Sequence, residues 1–431
     1  MILGSRPLSD WVAGGGYNGP RNTNNPLDQL FFVAVLGGSL IIATKRGVNW
    51  LKFFASNLPL MLVYLYFVCG VLWSDDPLGS GIRIVKDFAA LFVVGLVFSE
   101  KDPLQAIRAI FIRSACVLFP LSIVFNHYFP DFAREFGPNG QLMLSGVTGQ
   151  KNALGEIVFL FCIFIMWDYL ELLELRRGKG MSRKMSWDHF ILFFMGVFLL
   201  VQSESKTALV CLAVAAAMTI RKGSLAAKPA STAAYAAVLS TPFLLFFSKE
   251  FSDVIIEPVV TALGRNMTFT GRTTIWEHIT LNTVNPLIGC GYWNFWQGPH
   301  GAEISKEINW AIPTAHCGYL DIFLDGGILG LAVLFYMLGA YGWRLIRQGR
   351  QDRFRVVGLA VLCAAIIYNL SESSFVRVGP LWFATVLMMV EFPLRKKVAK
   401  RIQTEPSYQS AGSNLQRVKE EVAFSSSLRL R

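Results

Sequence analysis

Five ionisable side chains occupy positions where they could bind an anion or move a proton. Four of them come at the start of long apolar stretches on one predicted side of a membrane, and the fifth lies in the longest polar connection. A helix N-terminus carries exposed N–H groups and partial positive charge, so several such ends together would attract an anion. The ligand that fits best is a phosphate or pyrophosphate. The five residues are Arg83, Lys151, Lys206, His316 and, in the connection, Arg272.

His316 is the residue of this set that could act as a base. It follows Pro313 at a predicted helix start, where partial positive charge favours a neutral imidazole. A neutral imidazole can accept a proton from a hydroxyl group. The alternative is a histidine that only satisfies an interface. Asp321 and Asp325 share a helix face and either orient a partner or mark the membrane boundary, and we favour the boundary for Asp325.

Each cation also has an interpretation without chemistry. Arg83, Lys151 and Lys206 could extend toward water from the membrane boundary, as long basic side chains commonly do. Lys206 could pair with Glu204, two residues before it. The guanidinium of Arg272 suits bidentate phosphate binding, but a salt bridge to a nearby acid such as Glu277 is the alternative.

Composition places the chain in a membrane. Hydrophobic residues make up 53% of the 431 residues and charged residues 16%, whereas soluble proteins have about a quarter charged residues. Apolar runs approach or reach the length needed to cross a bilayer, and an open sheet cannot do so. We therefore predict an all-α polytopic membrane protein without strands. The net charge is +11, but the basic residues lie between the apolar runs and in the tail, as in membrane proteins. A nucleic-acid partner is therefore not expected.

Eleven spans, with ten to twelve as the range, are predicted with one large periplasmic loop at 248–317. Lys and Arg are concentrated in one alternate set of short connections, which places that set in the cytoplasm. Residues 1–26 form a polar N-terminal segment, 27–394 the transmembrane domain, and 395–431 a basic, disordered tail. The spans are 27–44, 53–73, 83–99, 107–125, 152–170, 187–202, 206–221, 231–247, 318–342, 355–371 and 378–394.

The seven cysteines give no sign of a metal site. The sequence has no Cys-x-x-Cys motif, so we expect neither a metal nor another cofactor. Cys290 and Cys317 lie outside the apolar runs. A disulfide between them is an alternative in an oxidising compartment.

Several short motifs resemble one family in order and in predicted side. His316, Gly327 and Gly330 fit the pattern of His, a polar residue, nine residues, Gly, two residues, Gly, with Cys317 at the polar position. The chain resembles the O-antigen ligase and exopolysaccharide polymerase family of bacterial inner-membrane proteins. Further matching segments are "QKNALG", "SESKTAL", "GRTTIW" and "NPLIGCGYWNF", in which Gln150 and Lys206 replace a family histidine and arginine.

The resemblance implies a metal-independent glycosyltransferase that uses an undecaprenyl-pyrophosphate-linked oligosaccharide as donor. Arg272, Lys206, Lys151 and Arg83 are then expected to hold the pyrophosphate and glycan, and His316 to be the catalytic base. The expected partners are the donor, an acceptor glycan and membrane lipids, and a chain-length regulator is a further candidate. The active face is expected to be periplasmic.

The acceptor separates two versions of this function. Transfer to another lipid-linked repeat unit makes exopolysaccharide or O-antigen polymer, which "QKNALG" favours, whereas transfer to lipid A–core is the reaction of an O-antigen ligase. A transporter or flippase of a lipid-linked or anionic solute is the alternative from another class. Transporters tend to place polar groups near the bilayer midplane and to show internal repeats, and this sequence shows neither.

Overall fold

The computed structural model describes residues 26–136, 140–178, 187–220, 228–247, 272–279, 284–308, 312–348 and 353–391. The structure is helical nearly throughout these ranges. The expectations for the N-terminal segment before residue 26 and for the basic tail from 395 concern residues outside them. Much of the predicted loop 248–317 also lies outside, including 248–271.

The helices of the first half of the chain overlap every apolar run predicted there. Asp76 and Asp102 accept the N–H of Gly79 and Gln105 and so cap two of them, each with a proline directly after the cap. The helices are α1 (Pro26–Arg46), α2 (Trp50–Ser56), α3 (Leu58–Gly70), α4 (Pro77–Ser99), α5 (Pro103–Tyr128), the short α6 (Pro130–Ala133) and α7 (Lys151–Gly178).

The second half of the described residues adds six apolar helices and two short loop helices. The apolar helices are α8 (Trp187–Gln202), α9 (Lys206–Ile220), α10 (Lys228–Phe247), α13 (Gly318–Gln348) and α14 (Arg353–Tyr368), followed by the shorter α15 (Pro380–Met389). The loop helices are α11 (Arg272–His278) and α12 (Pro299–Glu307). α7 is buried at every residue from Ile157 to Trp167, as expected of a helix that is apolar on all sides.

The number of spans stays a prediction. Among the described residues, three helices are long and apolar enough to cross a membrane, namely Pro103–Tyr128, Lys151–Gly178 and Gly318–Arg347. The bent pair Leu30–Arg46 and Trp50–Ser56 turns by 103° and makes a fourth if it is one broken span. The remaining apolar helices are shorter. An all-α membrane protein is confirmed, and the count of eleven is not.

The predicted span 53–73 is wrong in one respect, because the helix breaks at Asn57. The Asn57 side chain donates to the carbonyl of Phe53 at 2.9 Å and to that of Glu391 at 2.7 Å, and it accepts the Glu391 N–H at 2.7 Å. Pro59 follows and cannot donate a helical hydrogen bond. This side chain thus ties the break to the end of α15.

A small antiparallel hairpin corrects the expectation of a chain without strands. β1 (Arg134–Phe136) pairs with β2 (Leu142–Leu144), with Arg134 opposite Leu144. Each strand has three residues and the pair spans nothing, so the argument against open sheets in lipid does not apply to it. The hairpin lies just before α7 and brings Glu135 to that helix.

α13 is broken at Gly327, and part of the preceding loop fills the break. Gly327 has φ 60° and ψ −162°, which interrupts the helical hydrogen bonds. Cys290 N–H donates to the Leu324 carbonyl and Gly291 N–H to the Asp325 carbonyl, both at 3.0 Å. Ile328 and Leu329 N–H groups donate to the carbonyls of Pro286 and Leu287. The segment 286–291 therefore supplies the hydrogen bonds that the helix lacks, which irregular backbone inside an apolar bundle requires.

The loop has a small core of its own beside the main one. Ile275 of α11, Phe295 and Ala315 are fully buried in it, together with Val284, Cys290, Trp296, Ile304, Ile312 and Leu324. This core joins α11, the turn before α13 and the first turns of α13. Burial of these side chains sets where His316 enters the bundle.

Candidate functional site

The connection between α14 and α15, residues 369–379, is the centre of the site. The Asn369 side chain folds it by accepting the N–H groups of Ser374 at 2.8 Å and Phe375 at 3.1 Å. The first N–H of α13, at Gly318, donates to the carbonyls of both Asn369 and Glu372 at 2.9 Å. The residues that follow His316 are therefore fixed to this connection, which we call the 369–379 segment.

Glu372 links Arg272 to His316. Its Oε1 accepts from Arg272 Nη2 at 2.5 Å, and its Oε2 faces His316 Nδ1 at 3.5 Å. Arg272 Nη1 also donates to the Ser371 carbonyl. The alternative salt bridge from Arg272 to Glu277 is wrong, because the guanidinium bonds to Ser371 and Glu372 in the 369–379 segment instead. The loop arginine and the histidine thus share one carboxylate.

Glu372 is ionised in this arrangement. Burial alone would raise the pKa of its carboxyl, but Arg272 and then His316 outweigh burial and bring the pKa below its ordinary value of 4.5. A carboxylate beside Nδ1 favours the tautomer with its proton on Nδ1. The lone pair is then on Nε2, as a general base needs.

The α8–α9 hairpin, which carries Lys206, contacts the same segment. Lys206 is the first residue of α9, as predicted, and its neighbour Thr207 shares a hydrogen bond with Ser371 through their hydroxyl oxygens at 2.6 Å. Lys206 Nζ lies 2.9 Å from Glu204 Oε2, and both side chains are partly exposed. The pairing offered as the alternative for Lys206 is therefore present.

Lys151 begins α7, which packs against both the β1–β2 hairpin and the α8–α9 hairpin. The Lys151 N–H donates to Glu135 Oε1 at 3.1 Å, and its Nζ is 2.9 Å from Met143 Sδ. Burial raises the pKa of Glu135, and Lys151 opposes that rise. One turn later, a Cβ on Gly155 would come within 2.6 Å of Ser205 Cβ. A glycine there lets α7 approach the hairpin that carries Lys206.

Arg83 does not stand at a helix start, so that expectation is wrong. α4 begins at Pro77, capped by Asp76, and Arg83 lies in its second turn. Its Nη2 is 3.3 Å from Asp76 Oδ2, and its Nη1 donates to the Trp293 carbonyl at 3.1 Å. It reaches the loop at Trp293, whereas Arg272 and Thr207, the neighbour of Lys206, bond to the 369–379 segment.

The cations of the site have acidic neighbours, which the sequence analysis largely missed. The expectation of a strongly anion-seeking site is therefore wrong, because carboxylates offset the positive charge of the cations. A bound phosphate would have to exchange with them. The pairs are Arg83 with Asp76, Lys206 with Glu204, Arg272 with Glu372, and the Lys151 backbone N–H with Glu135.

Asp321 and Asp325 are buried and lie beside a cation, and the assignment of Asp325 to the membrane boundary stays a prediction. They are 2% and 4% exposed, and Arg377 lies between them at 3.1 Å from Asp321 Oδ2 and 3.7 Å from Asp325 Oδ2. Asp325 Oδ1 also accepts the N–H groups of Asn294 and Phe295. These carboxylates hold the loop and the 369–379 segment to the start of α13.

Residues with unfavourable backbone conformations lie in or beside the candidate site. Among the described residues, four that are not glycine have φ near +50°. Such a conformation costs about 1–3 kcal/mol and tends to persist at functional sites. Each of the four is a predicted site residue, contacts one, or adjoins Arg377. They are Glu204 (φ 53°), Trp293 (46°), His316 (52°) and Val376 (50°).

Glu372 and Arg377 are the main residues that sequence reasoning missed. Both occur in "SESSFVRVG", a polar stretch between two apolar runs on the same predicted side as His316. Two charges in so short a connection were the available signal. The alternative disulfide is not formed, since Cys290 and Cys317 are buried free thiols.

The helices and the buried polar end define a multi-pass membrane protein of the all-α class. Residues 190–335 match a family model described as O-Antigen ligase. The chain is also 23% identical over 337 residues to "Exopolysaccharide production protein ExoQ" of Rhizobium meliloti (strain 1021), covering 73% of this chain and 71% of that protein. The resemblance to the O-antigen ligase and ExoQ-like family is confirmed, and it supports glycan processing of the ligase or polymerase type.

Proposed function

We propose that the protein polymerises lipid-linked oligosaccharide repeat units at the periplasmic face of the bacterial inner membrane, with a polyprenyl-pyrophosphate-linked glycan as donor. The observation that carries this proposal is the shared carboxylate of Glu372. It joins His316, a candidate base, to Arg272, a candidate phosphate ligand, beside the hairpin of Lys206. Base and leaving-group site would then lie next to each other.

The basic residues hold the pyrophosphate in this scheme. Arg272 and Lys206 contact it directly, and Lys151 and Arg83 add positive charge around it. Negative charge grows on the pyrophosphate as the glycosidic bond breaks, so fixed cations stabilise the transition state more than the bound donor. The partly exposed pair Lys206–Glu204 contributes about 0–1 kcal/mol, so its exchange for a phosphate costs little.

His316 accepts the proton of the acceptor hydroxyl at Nε2. The hydroxyl oxygen forms a bond to the anomeric carbon, and the bond from that carbon to the phosphate oxygen breaks with its electron pair leaving on the pyrophosphate. The anomeric configuration is inverted. Glu372 stabilises the imidazolium that forms, and no metal ion enters the scheme.

The acceptor is the point on which the two matches differ. Similarity to an exopolysaccharide production protein favours a polymerase, whereas the match to the O-antigen ligase family favours a ligase. We place the polymerase first because the segment "QKNALG", which contains Lys151 and Asn152, favours the polymerase over the ligase. Purified protein with a polyprenyl-diphosphate-linked repeat unit should give a ladder of longer glycans. Transfer only to added lipid A–core would indicate the ligase, and movement of intact donor without bond cleavage would indicate a flippase.

Replacing Lys206 by glutamine should raise the KM for the lipid-linked donor about tenfold, the effect of losing one charge-assisted contact. Initial rates at varied donor concentration measure this change. Lys306→Gln, on the exposed face of α12 in the loop before α13, is the matched control and should leave KM unchanged. Equal KM values for the two variants would remove Lys206 from the donor site.

Stability should depend on Glu372 at acidic pH. Because its folded-state pKa is below the ordinary 4.5, its contribution is complete above pH 4.5 and is lost as the pH falls through the lower folded-state value. Thermal unfolding in detergent, from neutral to strongly acidic pH, should therefore show a smaller acid-induced loss for Glu372→Gln. The exposed Glu303→Gln should behave like the parent, and an identical acid limb in all three proteins would contradict the assignment.

A further inference from the structure

We propose that Trp276 and Asp321 are positioning residues that hold the main chain beside His316, an inference that rests on the proposed function. Trp276 Nε1–H donates to the Ala315 carbonyl at 2.8 Å. The Ala315 N–H donates to Asp321 Oδ1 at 2.9 Å. Both backbone groups of the residue before His316 are therefore bound, and Ala315 is fully buried.

The chain is fixed again directly after His316. Gly318 N–H donates to the carbonyls of Asn369 and Glu372, so only two residues separate the fixed points at 315 and 318. A Cβ on Gly318 would come within 2.0 Å of the Asn369 side chain, which shows how closely the two segments approach. His316 adopts φ 52° between these points. Without both attachments, the backbone would relax toward a commoner conformation and turn the imidazole away from Glu372.

Asp321 is itself held in place by groups from two other segments. Its Oδ1 also accepts Trp296 Nε1–H at 2.7 Å, and its Oδ2 is 3.1 Å from Arg377 Nη1. Arg377 belongs to the 369–379 segment, five residues after Glu372. The Asp321–Arg377 ion pair thus keeps the base and its carboxylate partner at a fixed separation. Because both groups are buried, removing the Arg377 charge would leave Asp321 uncompensated, and removing the Asp321 charge would leave Arg377 with the more distant Asp325.

The bonds that Trp276 and Asp321 make to Ala315 can each be tested by one substitution. Trp276→Phe keeps an aromatic ring, although a smaller one, and removes the N–H that binds Ala315. Asp321→Asn keeps an oxygen acceptor but loses the charge that faces Arg377. Misplacement of a catalytic group by about 1 Å can lower the rate about 100-fold, so a loss of that size in kcat is expected for Trp276→Phe. The KM for the donor should stay unchanged, because neither residue is assigned to phosphate binding.

The experiment compares Trp276→Phe and Asp321→Asn with Trp382→Phe in the donor assay. Trp382 Nε1–H donates to the Tyr64 hydroxyl at 3.2 Å in the main core, so its variant loses a similar buried bond away from His316. We expect Trp382→Phe to keep the parental kcat and pH profile. Trp276→Phe should lower kcat at unchanged KM and shift the pH dependence of kcat, because the imidazole has moved from Glu372. Thermal unfolding in detergent shows whether each variant is folded.

Two results separate this inference from the function on which it rests. If His316→Ala retains full transfer, the base role fails whatever Trp276→Phe does. If His316→Ala is inactive and folded Trp276→Phe has parental kcat and pH profile, the positioning role alone fails. A kcat loss for Trp276→Phe no larger than that for Trp382→Phe also overturns it. Should Asp321→Asn not fold, Trp276→Phe decides the question by itself.

Discussion

Replacing His316 by alanine should abolish polymer growth while leaving the protein folded and in the membrane. A general base contributes about 10²–10⁴-fold to a rate, and a loss in the middle of that range would bring transfer near the limit of detection. Alanine also has no group for Glu372, which stays paired with Arg272, so the site keeps a partner for each charge. The fold should therefore survive the change. Gels of cell-surface polysaccharide and the purified donor assay both measure the outcome.

His127→Ala is the matched control for this variant. His127 is exposed near the end of α5, and no role is assigned to it. It should give the parental distribution of chain lengths. Parental chain lengths from His316→Ala as well, at equal protein level in the membrane, would exclude His316 as the base.

The second large effect is expected for Gly327→Ala, which should destabilise the protein by about 4 kcal/mol or more and lower the yield of folded material. The φ and ψ of Gly327 belong to a region that side chains other than glycine rarely adopt. A Cβ there would come within 2.3 Å of the Leu287 carbonyl carbon and 2.5 Å of Ile288 N. These are backbone atoms, so relief requires expelling the segment 286–291 and its hydrogen bonds. Thermal unfolding in detergent measures the change.

Gly140→Ala separates the cost of conformation from that of contact. Gly140 also has a positive φ, 70°, but a Cβ there would meet no atom within 4 Å. Its substitution should cost about 1–2 kcal/mol, the ordinary penalty of a left-handed conformation. A Gly327→Ala protein no less stable than Gly140→Ala would mean that the loop segment does not depend on the break in α13.

Much of the fold could be predicted because long apolar runs dominate it. The runs at 187–202 and 231–247 lie within helices with the same or nearly the same ends. Errors arose where a polar side chain overrides the pattern. Asn57 breaks a run because it binds the backbone at Glu391, and the cap at Asp76 starts α4 before Arg83. Neither effect has a hydropathy signal.

The site could be predicted only in part, for a related reason. Helix starts and spacing indicated Lys151, Lys206 and His316, because those signals are local. Glu372 and Arg377 act through partners far along the chain, and local patterns carry no information about such pairs. Their positions depend on how α13, α14 and the loop pack, which follows from tertiary contacts.

The filled break in α13 limits how this protein could be recombined with its relatives. The segment 286–291 completes the hydrogen bonding of a helix that begins almost thirty residues later, so the two are one structural unit although they are separate in sequence. A chimera that takes the loop from one parent and α13 from another would leave backbone groups unsatisfied inside an apolar environment. Crossovers placed before residue 284 and after residue 330 would transfer the unit whole, and libraries aimed at new glycan specificity should be divided there.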